Sequence, residues 1–327
     1  MAKFMAKLKR INLKQLSFFI SCLLLTTSVF SQNWNTATGS YALDSNTTGN
    51  GNTATGFEAL RANTIGSFNS AHGNRALSQN VSGEYNTATG SWALVRNTSG
   101  SENTATGVNA LGNNTTGSYN TAVGLEALVN NTTGNYNTAI GYGAGPTTNN
   151  LFNSTAIGNG ALTTTSGQIR IGNTSVNSIG GSVSWSNLSD GRTKKNISKD
   201  VPGIAFINKL QPVTYNFDLD AVDYLQRGDK AKEWLTALSQ EERASREAKE
   251  KRLYTGFIAQ DVEKAAQIVG YDFSGVDVDE IGVYALRYSE FVVPLVKAVQ
   301  ELSEQQDEMQ NKVNKLTESV SQLQVAF

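Results

Sequence analysis

Histidine and cysteine are almost missing from this sequence, with one of each in 327 residues. The histidine, His72, stands at a variable strand position with no partner residue around it, so a Ser-His-Asp triad is excluded. The cysteine, Cys22, lies inside an early apolar run, too deep in it to serve as a lipid-attachment site. With that run removed, no cysteine is left for a disulfide or a thiolate metal site. A surplus of positive charge is also missing: 27 Lys and Arg face 28 Asp and Glu. Nucleic-acid binding needs a basic surface, so no nucleic-acid partner is expected. Lysine is absent altogether from residues 32–185, which hold only nine charged side chains, whereas charge is dense from Ser189 onward. Two different materials have been joined.

The first 31 residues have a basic front (Lys3, Lys7, Lys9, Arg10, Lys14), an apolar run over residues 16–30, and small residues at Val29 and Ser31. This pattern predicts a signal peptide over residues 1–31, cut before Gln32, and a protein exported to the cell surface or secreted. The run is shorter than the ~20 apolar residues of a spanning helix, so no membrane span is expected after its removal.

A seventeen-residue step organises the middle. Asn35, Asn52, Asn69, Asn86, Asn103, Asn120 and Asn137 keep it, and Ser154 takes the next place. Leu43, Leu60, Leu77, Leu94, Leu111, Leu128 and Leu162 keep it too, with Gly145 the one interruption, while Gly49 to Gly134 mark a third column. Each unit reads as two short β-prone pieces broken by glycine turns, with Ala, Thr, Val, Ile and one Leu pointing inward. Pieces so short cannot stand as separate sheets; stacked at about 4.8 Å per unit, eight would form a rod of roughly 40 Å. The core is thin, which predicts burial against further copies of the chain. The phrases NTAIG (137–141) and STAIG (154–158) resemble the head repeats of trimeric autotransporter adhesins, which implies a trimeric β-roll, although the seventeen-residue step is longer than usual there. Within this pattern GYGAG (141–145) reads as repeat turns, since no Lys-Ser/Thr follows it. The Asn-x-Ser/Thr triplets, such as those at Asn46 and Asn131, read as asparagines bonding turn backbones.

The repeat decays after Leu162 into a short strand at 168–171, another near Val183, and then SNLSDGRTKKNI. Ser, Asp and Gly there suit a plain polar turn. The segment also resembles the SDxRxKxxI signature that opens the peptidase S74 family of C-terminal chaperones. Ser189, Asp190, Arg192, Lys194 and Ile197 match, and Thr193 replaces a commoner Leu. Three later blocks follow in the family's order: INKLQPVTYNF (207–217), GFIAQDVEKA (256–265, Asp261 for Glu) and YALRYSEFVVPLVKAVQEL (284–302). The resemblance implies a domain that trimerises, helps the fibre before it to fold, and cuts itself free before the signature serine, between Leu188 and Ser189. Ser189 is then the nucleophile and Lys194 its base, with Asp190 and Arg192 fixing the turn. Serine needs a base to act. A free lysine is protonated at neutral pH, so burial or the nearby cations Arg192 and Lys195 must favour the neutral amine. Whether Lys194 acts in its own chain or across chains is open.

Residues 221–252 read as an amphipathic helix followed by a solvated, nearly all-charged one. Arg227, Gly228 and Asp229 read as a helix start. Asp277, Asp279 and Glu280 lack the rest of an EF-hand loop and read as an acidic turn, so no metal or cofactor is expected. Val292, Val299, Gln306, Val313, Val320 and Phe327 fall seven apart, with Leu295, Leu302, Met309, Leu316 and Leu323 forming a second seam. This predicts a coiled coil. Val on one seam with Leu on the other favours two strands, whereas the family resemblance implies three.

The fold class expected is therefore multidomain. A signal peptide (1–31) precedes a trimeric β-solenoid, or β-roll, of seventeen-residue repeats (32–167) and a junction (168–188). An α+β chaperone domain (189–291) and a coiled coil (292–327) complete it. The function expected is an exported, adhesin-like homotrimeric fibre with a single-turnover autoprotease. The alternative is a surface fibre whose C-terminal domain stays attached as a trimerisation module. A surface receptor or glycan is left open as a further partner. A glycan-cleaving activity fits poorly, because Glu58, Glu84, Glu102 and Glu126 form no recognisable pair.

Overall fold

The computed structural model describes residues 33–180, 182 and 186–326. The signal segment, the strand expected near Val183 and the last seam residue, Phe327, lie outside them. The chain divides into two compact units, at Ile171 and Gly172.

The first unit is a parallel β-solenoid. Its repeating strands are β1 (Thr36–Thr38), β2 (Thr53–Thr55), β3 (Ser70–His72), β4 (Thr87–Thr89), β5 (Thr104–Thr106), β6 (Thr121–Val123) and β7 (Thr138–Ile140). The last coils add β8 (Gly145–Pro146), β9 (Thr155–Ile157), β10 (Leu162–Thr163) and β11 (Ile169–Ile171). Nine of these form one parallel sheet in chain order, and β8 pairs with β10. The register is that of the sequence: Ala54 faces Ala71, Ala71 faces Ala88, and so on to Ala156. Side chains alternate along a strand. In β2 to β7 and in β9 the central alanine is therefore buried and the third residue faces out. This corrects the inward set expected above: the flanking Thr, Val and Ile are not core.

Along most of the rod each coil has one strand, not two. The other side is a run of turns in which an alanine and a leucine, such as Ala93 and Leu94, are both fully buried. Two neighbours can point the same way because the leucine takes a left-handed backbone, with φ 51° at Leu94 and 52° at Leu111. Left-handed backbone costs a non-glycine residue about 1–2 kcal/mol. Burying a leucine returns about 1.5–3 kcal/mol, and its N–H bonds the next coil, as from Leu94 to the Ala110 carbonyl at 3.0 Å.

Two asparagine ladders run through the interior beside this apolar core. Asn86 Nδ2 donates to the Gly100 carbonyl at 2.9 Å and to Asn69 Oδ1 at 3.1 Å. Its backbone N–H donates to the same Oδ1 at 3.0 Å. In the second ladder Asn97 Nδ2 donates to Asn80 Oδ1 at 2.8 Å and to the Gly100 carbonyl at 2.8 Å. Each rung caps the coil before it, so buried amides form a continuous chain with their hydrogen bonds met. An Asn97→Ala chain will lose about 2–4 kcal/mol in a denaturant titration, because Asn80 Oδ1 is left buried without its donor. Asn46→Ala, at the half-buried end of the ladder, will lose less.

The second unit is α+β. Helix α1 (Ile204–Ile207) is followed by β12 (Val213–Tyr215), which pairs antiparallel with β13 (Tyr254–Gly256). Between these strands an arm of three helices is inserted: α2 (Leu219–Arg227), α3 (Ala231–Ala237) and α4 (Gln240–Lys251). Then come α5 (Ala259–Ile268), the hairpin β14 (Val276–Val278) with β15 (Tyr284–Leu286), and α6 (Val292–Ala326). Phe206, Val262, Ala265, Ala266, Phe273 and Phe291 make the core, and the Phe206 and Phe273 rings meet at 5.0 Å.

The arm departs from the expected solvated helix. Asp218 caps α2, and Ser239 with Glu242 forms a capping box on α4. Arg246 of the charged stretch is buried and binds Asp223 at 2.6 Å and Asp220 at 2.7 Å. Arg227 binds the same Asp223 at 3.0 Å and lies over the Trp234 ring. The Arg227-Gly228-Asp229 tripeptide is thus built into the arm at a short 3-10 turn, Gly228–Lys230. The expected acidic turn is found at Asp279, which accepts from the Ile281 and Val283 N–H groups, whereas Asp277 lies on β14 and pairs with Arg287. Among the described residues no cluster of metal-ligating side chains occurs, and no helix is long and apolar enough to cross a membrane.

Candidate functional site

The segment after Leu188 turns once and returns on itself. Asp190 has extended backbone, and its Oδ1 accepts the Arg192 N–H at 2.9 Å, which starts the 3-10 turn Gly191–Thr193. The Thr193 hydroxyl donates to the Asp190 carbonyl at 2.7 Å, and the Lys194 N–H donates to the Gly191 carbonyl at 3.2 Å. The threonine that replaces a commoner leucine is therefore part of the turn. Arg192 folds over Asp190, with Nη2 to Oδ2 at 2.6 Å.

This turn brings the two ends together. Lys194 Nζ lies 2.9 Å from Ser189 Oγ, within hydrogen-bond reach for a base and a nucleophile. Residues 188–189 and 191–200 are exposed in the single chain, while Asp190 is half-buried. The five sequence-predicted residues Leu188, Ser189, Asp190, Arg192 and Lys194 are thus contiguous, with the aspartate and arginine paired to each other and not to the Ser-Lys pair.

The Arg192 guanidinium, together with the Arg192 backbone N–H, holds the Asp190 carboxyl below the usual carboxylate range. The same pairing raises the Arg192 guanidinium above its ordinary value. For a carboxyl depressed in the folded chain, the contribution to the turn is complete above the unfolded value of about 4 and is lost as pH falls through the lower folded value. An NMR titration of Asp190 will therefore show a midpoint below that of an unfolded peptide, and Arg192→Ala will raise it part of the way, since the backbone N–H of residue 192 still donates to the carboxylate.

The site marks a boundary in the family comparison. Residues 189–271 match the Peptidase_S74 family, chaperone of endosialidase. The match opens on Ser189 and spans the turn, α1, the arm, β12 and β13, and α5. The family resemblance seen in the sequence is confirmed over these residues, and the matched segment follows a solenoid of seventeen-residue coils. No curated protein matches the chain. The buried Arg246–Asp223 pair inside the matched segment escaped sequence reading. Its one available signal was the i,i+4 spacing of Asp223 and Arg227 on α2.

Proposed function

We propose that this chain is exported, assembles as a homotrimeric fibre through its C-terminal chaperone, and then cuts itself once between Leu188 and Ser189. The 2.9 Å contact of Lys194 Nζ with Ser189 Oγ, at the first residue of the family match, carries the reading. In the step, Lys194 takes the Ser189 hydroxyl proton and Oγ attacks the Leu188 carbonyl carbon. The Leu188–Ser189 amide bond breaks, its nitrogen leaves as the Ser189 amine with a proton from Lys194, and an ester joins Leu188 to Oγ. Water hydrolyses the ester, leaving a Leu188 carboxylate and a new N-terminal serine.

Exposure of the pair in one chain supports coupling of this step to assembly. A lysine works as a base when it is desolvated, and here the covering surface has to come from other copies. Two apolar surfaces favour such copies. Val123, Ile140, Ile157 and Ile171 stand in register on neighbouring strands of the rod, all exposed. The valine and leucine seam of α6 is exposed along its length.

A denaturing gel of the purified wild-type chain will show the full-length band replaced by fragments about half its size, one of them starting at Ser189 by mass spectrometry. Ser189→Ala will stay full length, and Lys194→Ala will cut about 10²–10⁴-fold more slowly, the usual worth of a positioned base. An intact wild-type trimer would overturn the cleavage and leave an attached trimerisation module. The exported chain is expected to begin at Gln32.

A further inference from the structure

The stretch between the rod and the proposed cut is held by the helical arm on the other side of that cut. Residues 174–177 lie against α2 and α4. The Thr174 hydroxyl donates to Asp223 Oδ2 at 3.0 Å and accepts from Arg246 Nη1 at 2.5 Å. Lys249 Nζ donates to the Thr174 and Val176 carbonyls, at 3.1 and 3.2 Å. The Ser245 hydroxyl donates to the Ser175 carbonyl at 3.0 Å and accepts from Asn177 Nδ2 at 2.7 Å. Each hydroxyl gives one proton and takes one, as its chemistry allows. The anchor of the cradle, Asp223 with Arg246, is buried, so salt screens it little. Burial and the neighbouring Arg246 also pull the Lys249 amine below its ordinary value.

We propose that α2 and α4 form a binding site for this Thr-Ser-Val-Asn segment, which turns at Thr174 and Ser175, and that the site keeps the rod's half bound to the chaperone's half after the chain is cut. It rests on the reading that the cut falls before Ser189. Thr174, Ser175, Val176 and Asn177 then belong to the fibre fragment, and Asp223, Ser245, Arg246 and Lys249 to the chaperone fragment. None of these contacts involves the scissile bond, so breaking it leaves all of them in place. Release of the chaperone becomes a second event, governed by this cradle and not by the peptide bond.

The test uses the full chain and reads cutting and holding separately. A denaturing gel reports cutting, and size exclusion in non-denaturing buffer reports whether the halves travel together. A parallel Ser189→Ala chain carries a sequence-specific protease site after Asn187, so that holding can be read even if the chain does not cut itself. In both, the halves are expected to co-elute. Thr174→Val with Asn177→Ala, two small changes on the fibre side, should weaken the hold roughly 10- to 100-fold, the worth of hydrogen bonds to charged groups. Circular dichroism will confirm that this variant keeps its helices, a check that Arg246→Ala, with its buried partner, would not pass as safely. Halves that separate in the wild type, or that co-elute equally well in the double variant, would overturn the proposal. An uncut wild-type band would count against self-cleavage alone, since the inserted site still decides the hold.

Discussion

An alanine at Gly107 will open the rod at its middle. A Cβ there would lie 2.4 Å from the Gly124 carbonyl oxygen and 2.6 Å from its carbon. Both are backbone atoms, and the coil that carries them is held by the Gly124 N–H donating to the Thr106 carbonyl at 2.8 Å. The neighbour cannot yield without breaking that bond. Gly107 also has φ 134°, which L side chains rarely adopt. Backbone strain of about 1–3 kcal/mol and overpacking of about 1–3 kcal/mol add up to a loss of roughly 4 kcal/mol. In a solenoid each coil rests only on its neighbours, so the damage is local and splits the stack in two. Thermal unfolding of the full chain is expected to become biphasic and to begin lower, with a new protease-sensitive site near residue 107. Gly180→Ala, where a Cβ meets open space, should unfold as wild type does. A single unshifted transition in the Gly107 variant would mean that the coils do not stack as closely as their hydrogen bonds require.

The stacking itself was legible, because columns of Asn, Gly and Leu at one step leave few other folds. What turns each coil was not. Leu94 and Leu111 look like strand residues, and nothing in a leucine announces a left-handed backbone. The conformation is imposed by closing a coil within seventeen residues and rewarded by burial against the alanines of neighbouring coils. The asparagines were read as bonding turn backbones, which holds. Their burial as two continuous ladders depends on the coil above and below, which no single repeat can show. At the candidate site the sequence contained the pair and its spacing. The turn that closes Lys194 onto Ser189 is also local in origin, since Asp190 and Thr193 are residues that bond their own backbone. The arm was the least legible part. Arg246 sits in a stretch whose charges suggest water, and only its partners Asp220 and Asp223, more than twenty residues earlier, make it a buried anchor.

If the chain assembles and cuts itself as proposed, aspartates at Val313 and Leu316 will remove the oligomer and, with it, the cut. Helix α6 runs for 35 residues, about 52 Å at 1.5 Å per residue. Near its start it is anchored to the body: Glu301 accepts the Ile204 N–H at 2.8 Å, and Ala298 is buried. Farther out the seam has nothing to cover it in one chain, with Val313 46% and Leu316 66% exposed. A monomer therefore gains nothing from these side chains, and changing them leaves its core alone. In a coiled coil both point into the seam, where each buried apolar side chain contributes about 1.5–3 kcal/mol, and a charge introduced there is both buried and set against its own copies. Loss of two such positions in every chain is expected to turn the assembly into monomers by light scattering at micromolar concentration. Asn311→Asp, on the outward face of the same helix, should leave the mass unchanged. The wild-type mass will also decide between the two strands that Val and Leu seams favour alone and the three of the proposed homotrimer. If cutting depends on assembly, the seam variant will stay full length with Ser189 and Lys194 both present and their turn intact. A monomer that still cuts at the wild-type rate would show that the pair works in one chain, and would remove the link between correct assembly and release.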